Sequence, residues 1–397
     1  MIRRKAAAAA VLALSAALMA SCWDKIELNE LTLVSMAGLD RDPESGIYTI
    51  WLQVINPASG ASAKGTPGGE QSPVYTYEAS GSSLAEAHLK FYHLIPRKTF
   101  IHHAKAVLIS ERAARQGMKD FMNFSELQPD ARTSIPLLVV EGSIDEVMRT
   151  FTPLERTPSE SLASRLELLN EYALRSARRI ELRDVIERSE RDEWIVLPIA
   201  AATPKTGNFN SWDSDASIDA NRNQLRINGG AVIRNYRMVG RLGEDDLVLY
   251  HLLDGERGRF VRRIPFRDGH VTASLESRGA KRRLAWENGR PVVRIRLRLN
   301  LSTLAMKEFH PQTLEDIREL ESAVNQALAG ELAAFADRTR AKGWDLLRIG
   351  SLLRRKAPKL ANPGQAAADA KIRIEVKTRL TGMGNLSRLY EGTGGTP

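Results

Sequence analysis

Residues 292–301 read V-V-R-I-R-L-R-L-N-L, and this stretch determines the expected fold. Apolar side chains occupy alternate positions from Val293 to Leu301, and the positions between them carry Arg294, Arg296 and Arg298. Successive side chains of a β-strand point to opposite faces of the sheet. The pattern therefore predicts a strand with one face in a core and the other face cationic.

A long amphipathic helix is expected after this strand. Thr313 and Asp316 have the spacing of a capping box at a helix start, and Gly343 can end the helix. The apolar stripe at the 3.6-residue period consists of Leu314, Ile317, Leu320, Val324, Leu328, Leu332 and Phe335. A second alternating strand is predicted at Lys371 to Leu380.

Strands and helices also alternate in the N-terminal half of the chain. Thr32 to Leu39 and Tyr48 to Ile55 read as a hairpin, and the apolar runs Ala104 to Ser110 and Leu137 to Val140 read as buried strands. Helical patterns lie between these strands. The sequence thus predicts an α+β fold, with mixed β-sheets flanked by helices and two to three domains after a cleaved lipoprotein signal peptide.

Composition shifts give the expected domain boundaries. The segment 203–223 is rich in Asn, Ser, Asp, Gly and Thr, which is typical of a linker. The predicted division is a signal peptide at 1–21, N-terminal domain or domains at 22–202, the linker, a C-terminal domain at 224–390 and a flexible tail at 391–397.

The overall composition is that of a folded, mostly soluble protein. The chain has 397 residues, of which 43% are apolar and 26% charged, and its formal net charge is +9. Its only cysteine is Cys22, which excludes a disulfide framework and a cysteine-based zinc site.

The first 21 residues have the layout of an export signal. The basic Arg3, Arg4 and Lys5 precede an apolar run from Ala6 to Met19, which is shorter than the roughly 20 residues of a membrane span. An export signal also argues against nucleic-acid binding as the reason for the basic charge. We therefore expect export and cleavage.

The residues around the expected cleavage site resemble the lipobox of bacterial lipoproteins. Leu18, Met19, Ala20 and Ser21 precede Cys22, where that family carries a diacylglycerol on the thiol and is cleaved between the positions of Ser21 and Cys22. The alternative is a plain signal peptide followed by an incidental cysteine. An unpaired thiol in an exported protein is otherwise a liability, so its single occurrence at this position favours lipidation.

We find no pattern typical of an enzyme. The chain has no P-loop, no Gly-x-Ser-x-Gly nucleophile elbow and no His-Glu-x-x-His motif. His88 and His93 are five residues apart, although two ligands on one helical face need a spacing of three or four. Adjacent His102 and His103 point to opposite faces if the chain is extended there. A structural role for these histidines is favoured over a metal site, and no cofactor is predicted.

Several short motifs together resemble the C-subunit lipoproteins of spore germinant receptors, the Ger(x)C type. Each motif alone has low specificity, but their order and spacing match over nearly the whole mature chain. They are Ser21-Cys22-Trp23-Asp24 with Glu27 to Leu31, Phe100-Ile101-His102-His103, Gly229 to Ile233 with Met238-Val239-Gly240, Gly343-Trp344-Asp345, Lys356 to Lys359, and Ile374 to Lys377 with Thr381-Gly382.

The resemblance implies a lipid-anchored, non-enzymatic subunit at the outer face of the spore inner membrane. It implies assembly with two integral membrane subunits, A and B, into a receptor that starts germination when nutrients are present. Trp23, Ile26 and Leu28 lie within nine residues of the expected lipid, so they are candidates for contact with the membrane interface or with these subunits.

Two other functional classes stay open. A solute-binding lipoprotein that delivers a ligand to a transporter shares the anchor, but it typically has two α/β lobes joined by crossing segments. A surface hydrolase needs a nucleophile and a base that the sequence does not reveal. The row of Arg294, Arg296 and Arg298 also has two interpretations: solvation and protection of an edge strand, or docking on anionic headgroups or an acidic partner surface.

Overall fold

The computed structural model describes residues 30–57, 59, 72–128, 132–150, 152, 154–172, 178–202, 225–306, 313–360 and 362–382. The expected signal peptide, Cys22 and its tether, the linker at 203–223 and the tail at 391–397 lie outside these residues. The predicted division into domains therefore stays a prediction.

Sheet 1 contains nine strands among the described residues, in the order β3-β2-β1-β5-β6-β7-β8-β9, with β4 paired to the start of β1. The strands β1, β4, β5, β6 and β7 pair with one another in parallel. All other pairs, including β1 with β2 and β7 with β8, are antiparallel. The strands are β1 (Leu31–Arg41), β2 (Tyr48–Ile55), β3 (Val74–Gly81), β4 (Lys98–Phe100), β5 (Ala106–Ser110), β6 (Leu137–Glu141), β7 (Ile195–Ala202), β8 (Leu225–Arg234) and β9 (Arg237–Leu242).

Helices cover both faces of sheet 1, which explains why its parallel strands are continuous apolar runs. One face packs on α1 (Leu84–Leu94), α2 (Glu111–Gln116), α3 (Lys119–Leu127) and α6 (Leu182–Glu190). The other face packs on α4 (Ile144–Arg149) and α5 (Pro158–Tyr172). Ser83, Ser110 and Ser143 cap α1, α2 and α4 by accepting a backbone N–H bond at their side-chain oxygens.

Sheet 2 has the order β10-β11-β12-β13 and packs against a long helix. Its antiparallel strands β10 (Arg257–Phe266), β11 (Gly269–Glu287) and β12 (Arg290–Met306) form a meander, and β13 (Lys371–Gly382) lies parallel to β12. The helices of this half are α7 (Glu244–Asp254), α8 (Leu314–Ala341), α9 (Ile349–Lys356) and α10 (Pro363–Asp369). The predicted capping box of Thr313 and Asp316 is present at the start of α8.

The hairpin of β8 and β9 belongs to both halves of the molecule. Ala231, Ile233 and Met238 lie in the core of sheet 1, whereas Val232 and Leu242 lie in the core that sheet 2 shares with α7 and α8. Asn235 and Tyr236 form the turn with positive φ values of 47° and 61°, as a two-residue hairpin turn requires. The two cores therefore share one wall.

The mixed sheets and flanking helices confirm the predicted α+β fold. Within the described ranges, no helix is both long enough and apolar enough to span a bilayer.

Candidate membrane- or partner-binding face

The structure places three of the predicted site residues and leaves the others outside its description. Arg294, Arg296 and Arg298 lie on β12. The predicted lipidation, cleavage and tether residues, which are Ser21, Cys22, Trp23, Ile26 and Leu28, lie outside the described residues. The described part of the candidate site is therefore centred on β12.

The alternation on β12 separates a core face from a charged face, as predicted. Val293, Ile295 and Leu297 are at most 1% exposed and pack toward α8, whereas the arginines between them are exposed. Neighbouring strands add cations in register, since Arg294 is opposite Arg283 and Arg373, and Arg298 is opposite Lys377. We call the following exposed residues the cationic face: Lys281, Arg283, Arg294, Arg296, Arg298, Arg373, Lys377 and Arg379.

Few acids neutralise the cationic face. Glu287 Oε1 accepts a bond from Arg294 at 2.9 Å, and its Oε2 accepts one from Arg373 at 2.7 Å. Arg296 Nε lies 2.8 Å from a carboxylate oxygen of Glu375. The bond from Arg294 is the main reason that the pKa of Glu287 lies below its usual value. These two glutamates face the eight cations named above, so an excess of positive charge remains available to an anionic surface.

The cationic face is concave at its centre, and its central strand, β12, does not lie at a sheet edge. A groove of about 460 Å³ is lined by Lys281, Arg283 and the three β12 arginines, together with Arg373 and Glu375. β12 is flanked by β11 and β13, so the interpretation of its arginines as protection of an edge strand is wrong. The strand that covers this edge, β13, lies about 80 residues later in the sequence, which the local pattern could not reveal.

The adjacent histidines His102 and His103 lie beside an aromatic ring. His102 and His103 lie in a turn rather than in an extended segment, and both rings pack near Phe100, with centroid distances of 4.6 and 5.6 Å. They therefore do not point to opposite faces of a strand. Among the described residues, no group of three or more His, Cys, Asp or Glu side chains is placed to hold a metal ion.

Two sequence motifs that are 104 residues apart meet between the sheets. Gly240 on β9 lies under the indole ring of Trp344, and a Cβ atom at position 240 would collide with that ring. The ring is 8% exposed, and the ammonium of Lys342 lies 4.7 Å from its centroid. Asp345 then accepts bonds at 2.7 Å from the backbone N–H groups of Ile349 and Gly350, at the start of α9. These motif residues therefore join the two halves of the protein.

A largely buried cluster of charges lies close to this joint, and no sequence pattern predicts it. The Asp254 carboxylate, at the end of α7, accepts bonds from Arg348 at 2.5 Å and from Arg282 at 3.1 Å. Arg282 also donates to the carbonyl oxygens of Leu253 and Leu347. Burial acts to raise the pKa of Asp254, but Arg348 and Arg282 outweigh it, and the net pKa lies below the usual value. Burial also raises the pKa of neighbouring Tyr250 to about 12.

The comparisons with known proteins agree with the sequence motifs. Residues 24–202 match the family described as spore germination protein N-terminal domain, and residues 228–384 match the one described as spore germination B3/GerAC like, C-terminal. Spore germination protein KC of Bacillus subtilis is 23% identical over 371 residues, covering 89% of this chain and 88% of the relative. The putative spore germination protein YfkR of the same organism is 21% identical over 283 residues, covering 71% and 70%.

A solved structure shares the fold. The crystal structure of the GerBC protein superposes with a TM-score of 0.53 and 16% identity, over 87% of this chain and 97% of that chain. At this identity the likeness establishes the fold alone. The two matched family regions, however, cover most of the sequence in the order of the described halves. The chain therefore belongs to the Ger(x)C family of spore germination proteins.

Proposed function

We propose that this chain is the lipid-anchored, non-enzymatic C subunit of a nutrient germinant receptor. The observation that carries the proposal is the tandem match of both germination-protein regions over 24–202 and 228–384. A fold shared with GerBC and sequence similarity to spore germination protein KC support it. The role is then to assemble with two integral membrane subunits at the outer face of the spore inner membrane.

The anchor in this proposal is a diacylglycerol on the thiol of Cys22, after cleavage behind Ser21. Each buried methylene of an acyl chain contributes about 0.8 kcal/mol, so one chain holds weakly and two or more hold a protein firmly. Seven residues separate Cys22 from Glu30, where the described chain begins. In this tether, Trp23, Ile26 and Leu28 contact the membrane interface or the integral subunits.

Replacement of Cys22 by alanine is expected to abolish anchoring. Without the thiol no acyl chain can be attached, so the protein either leaves the membrane fraction or accumulates as an uncleaved precursor. Fractionation of spore membranes followed by mass spectrometry of the N-terminal peptide measures both outcomes. Ser21→Ala is the matched control, because it keeps a small residue at the cleavage site. Full membrane retention of a processed Cys22→Ala protein would contradict the proposal.

Co-purification from spore membranes tests the assembly. Affinity purification of the tagged full chain should recover two multi-span proteins in stable proportion. Recovery of the permease subunits of a transporter would instead favour a solute-binding lipoprotein. Deletion of the gene should also reduce the germination response to at least one nutrient while spore formation stays normal.

The cationic face is expected to add salt-dependent attraction to the anchored protein. A cation near an anionic membrane contributes about 1 kcal/mol. Exchange of Arg294, Arg296 and Arg298 for glutamine should therefore weaken binding to phosphatidylglycerol vesicles about tenfold or more at low salt. The measurement is vesicle sedimentation of the unlipidated chain from Trp23 onward, with neutral vesicles for comparison.

A matched control for this triple substitution lies on the other half of the molecule. Arg179, Arg183 and Arg191 are also exposed and paired with nearby glutamates. Their exchange for glutamine removes the same net charge and should change vesicle binding much less. Equal losses for both triples would mean that net charge, rather than the cationic face, determines the attraction.

A further inference from the structure

The core of sheet 1 contains a cavity of about 130 Å³. It lies between the strands β1, β2 and β5 and the helices α1 and α3. Val34, Ile50, Leu52 and Val107 form its wall on the sheet side, and each of these residues is at most 8% exposed. On the helix side the wall includes Phe124. The cavity is distinct from the cationic face and from the joint between the two halves.

The size of the cavity is that of a small organic molecule. Protein cores are close-packed and contain few voids larger than a water molecule. An engineered apolar cavity of about 150 Å³ stays dry and binds benzene. The apolar body of a suitable ligand is therefore about the size of one aromatic ring or a short branched chain.

The polar residues at the cavity set the charge of that ligand. Lys98 and Arg132 line it, as do the side chains of Ser125 and Gln128, and no aspartate or glutamate is among its described lining residues. An ammonium group would find no carboxylate among these residues, whereas a carboxylate would find the guanidinium of Arg132. The charge at the cavity therefore favours a monoanion over a cation.

His88 supplies a further polar group that the fold does not otherwise use. Its ring packs against the rings of Phe91, Tyr92 and Phe124, with centroid distances of 5.8 to 6.5 Å. In the part of the chain that the structure describes, it has no hydrogen-bond partner. Burial lowers the pKa of His88, because desolvation disfavours the imidazolium. A neutral imidazole can donate one hydrogen bond to a ligand and accept another.

We propose that this cavity binds a small apolar monoanion, an aromatic or branched aliphatic carboxylate. The apolar body occupies the space between the sheet and the two helices, and the carboxylate lies at the rim near Arg132 and His88. The proposal goes beyond the receptor role and does not depend on it, because binding to this cavity needs neither the anchor nor the integral subunits.

Fluorine NMR with 4-fluorobenzoate tests the proposal on the full chain in nanodiscs of neutral phosphatidylcholine. We expect saturable line broadening that empty nanodiscs do not show, and no saturable effect with 4-fluorobenzylamine, which carries the opposite charge. Absence of saturable binding of the benzoate, or equal binding of the amine, would overturn the proposal.

Two substitutions locate the binding site. Ser125→Leu puts a larger apolar side chain into the cavity and should abolish benzoate binding, whereas Arg132→Gln should weaken it about tenfold or more by removing a charged hydrogen-bond donor. Ser322→Leu and Arg318→Gln are matched controls on exposed positions of α8. Unchanged affinity in a folded Ser125→Leu or Arg132→Gln protein would overturn the proposed site. Arg132 is exposed, so Arg132→Gln is expected to fold even if Ser125→Leu does not. In that case Arg132→Gln alone tests the proposed site.

Discussion

Replacement of Asp254 by alanine is expected to lower the free energy of unfolding by about 3–5 kcal/mol. The carboxylate is the common acceptor of Arg282 and Arg348, and its side chain is 14% exposed. Removal of one partner from a largely buried ion pair leaves the other charge without compensation. Arg282, with a side chain that is 20% exposed, would keep its bonds to carbonyl oxygens but lose its counter-charge.

Urea denaturation at neutral pH, followed by tryptophan fluorescence, measures this loss. Asp337→Ala on the exposed side of α8 is the matched control and should change stability by less than about 0.5 kcal/mol. The pKa of Asp254 is lowered in the folded state, so its contribution is fully present above the unfolded value of about 4. It is lost as the pH falls through the folded pKa. The difference between wild type and Asp254→Ala should therefore shrink in acid, and a constant difference would contradict this assignment.

Replacement of Trp344 by alanine is expected to destabilise the protein by about 3–5 kcal/mol, since it leaves a ring-sized space between the halves. Gly240→Val should cost roughly 1–3 kcal/mol or more, because the new side chain collides with the indole. Valine has a higher β-propensity than glycine. A loss of stability in Gly240→Val on β9 would therefore come from the collision with the indole ring and not from a lower strand propensity.

The double substitution separates this contact from unrelated damage. If Gly240 is needed only to accommodate the ring of Trp344, the valine can occupy part of the space that Trp344→Ala leaves. The double variant should then lose clearly less than the sum of the two single losses, by at least about 1 kcal/mol. Additive losses in chemical denaturation would show that the two positions act independently.

The local parts of the fold could be predicted from the sequence because their signals lie within one element. β2 has the predicted bounds Tyr48–Ile55, and the predicted capping box of Thr313 and Asp316 is present. The stripe on α8 is buried from Leu320 onward, but Leu314 is 74% exposed in the first turn. A helix end is thus predicted better from its cap than from its first apolar residue.

β10 and β11 gave no recognisable signal in the sequence. The core positions of β11 include the small or polar Ala273 and Ser277, which are at most 1% exposed. The pairing register with β12 then shifts between Ser277 and Ala280, where Gly279 has a φ of 98°. A bulge of this kind interrupts the two-residue period on which strand prediction depends.

Some features of the candidate site can be predicted from neighbouring residues in the sequence, whereas others depend on residues that are far apart. The charged row on β12 follows from alternation within ten residues. The partner Glu375 could not be predicted, because it reaches Arg296 only through the pairing of β12 with β13, 79 residues away. The cluster around Asp254 joins residues that are 28 and 94 positions apart, and no periodicity connects them.

The shared hairpin of β8 and β9 determines where homologous chains can be recombined into a folded chimera. A chimera that joins two homologues at 203–224 would combine β7 of one parent with β8 of the other, so the strand pairing and the core of sheet 1 would contain residues of both parents. A crossover after Leu242 keeps sheet 1 within one parent and mixes the parents where sheet 1 meets the other core, at Trp194, Val196, Val232, Leu242 and the contact of Gly240 with Trp344. Recombinant libraries of this family should therefore yield more folded members from the later crossover.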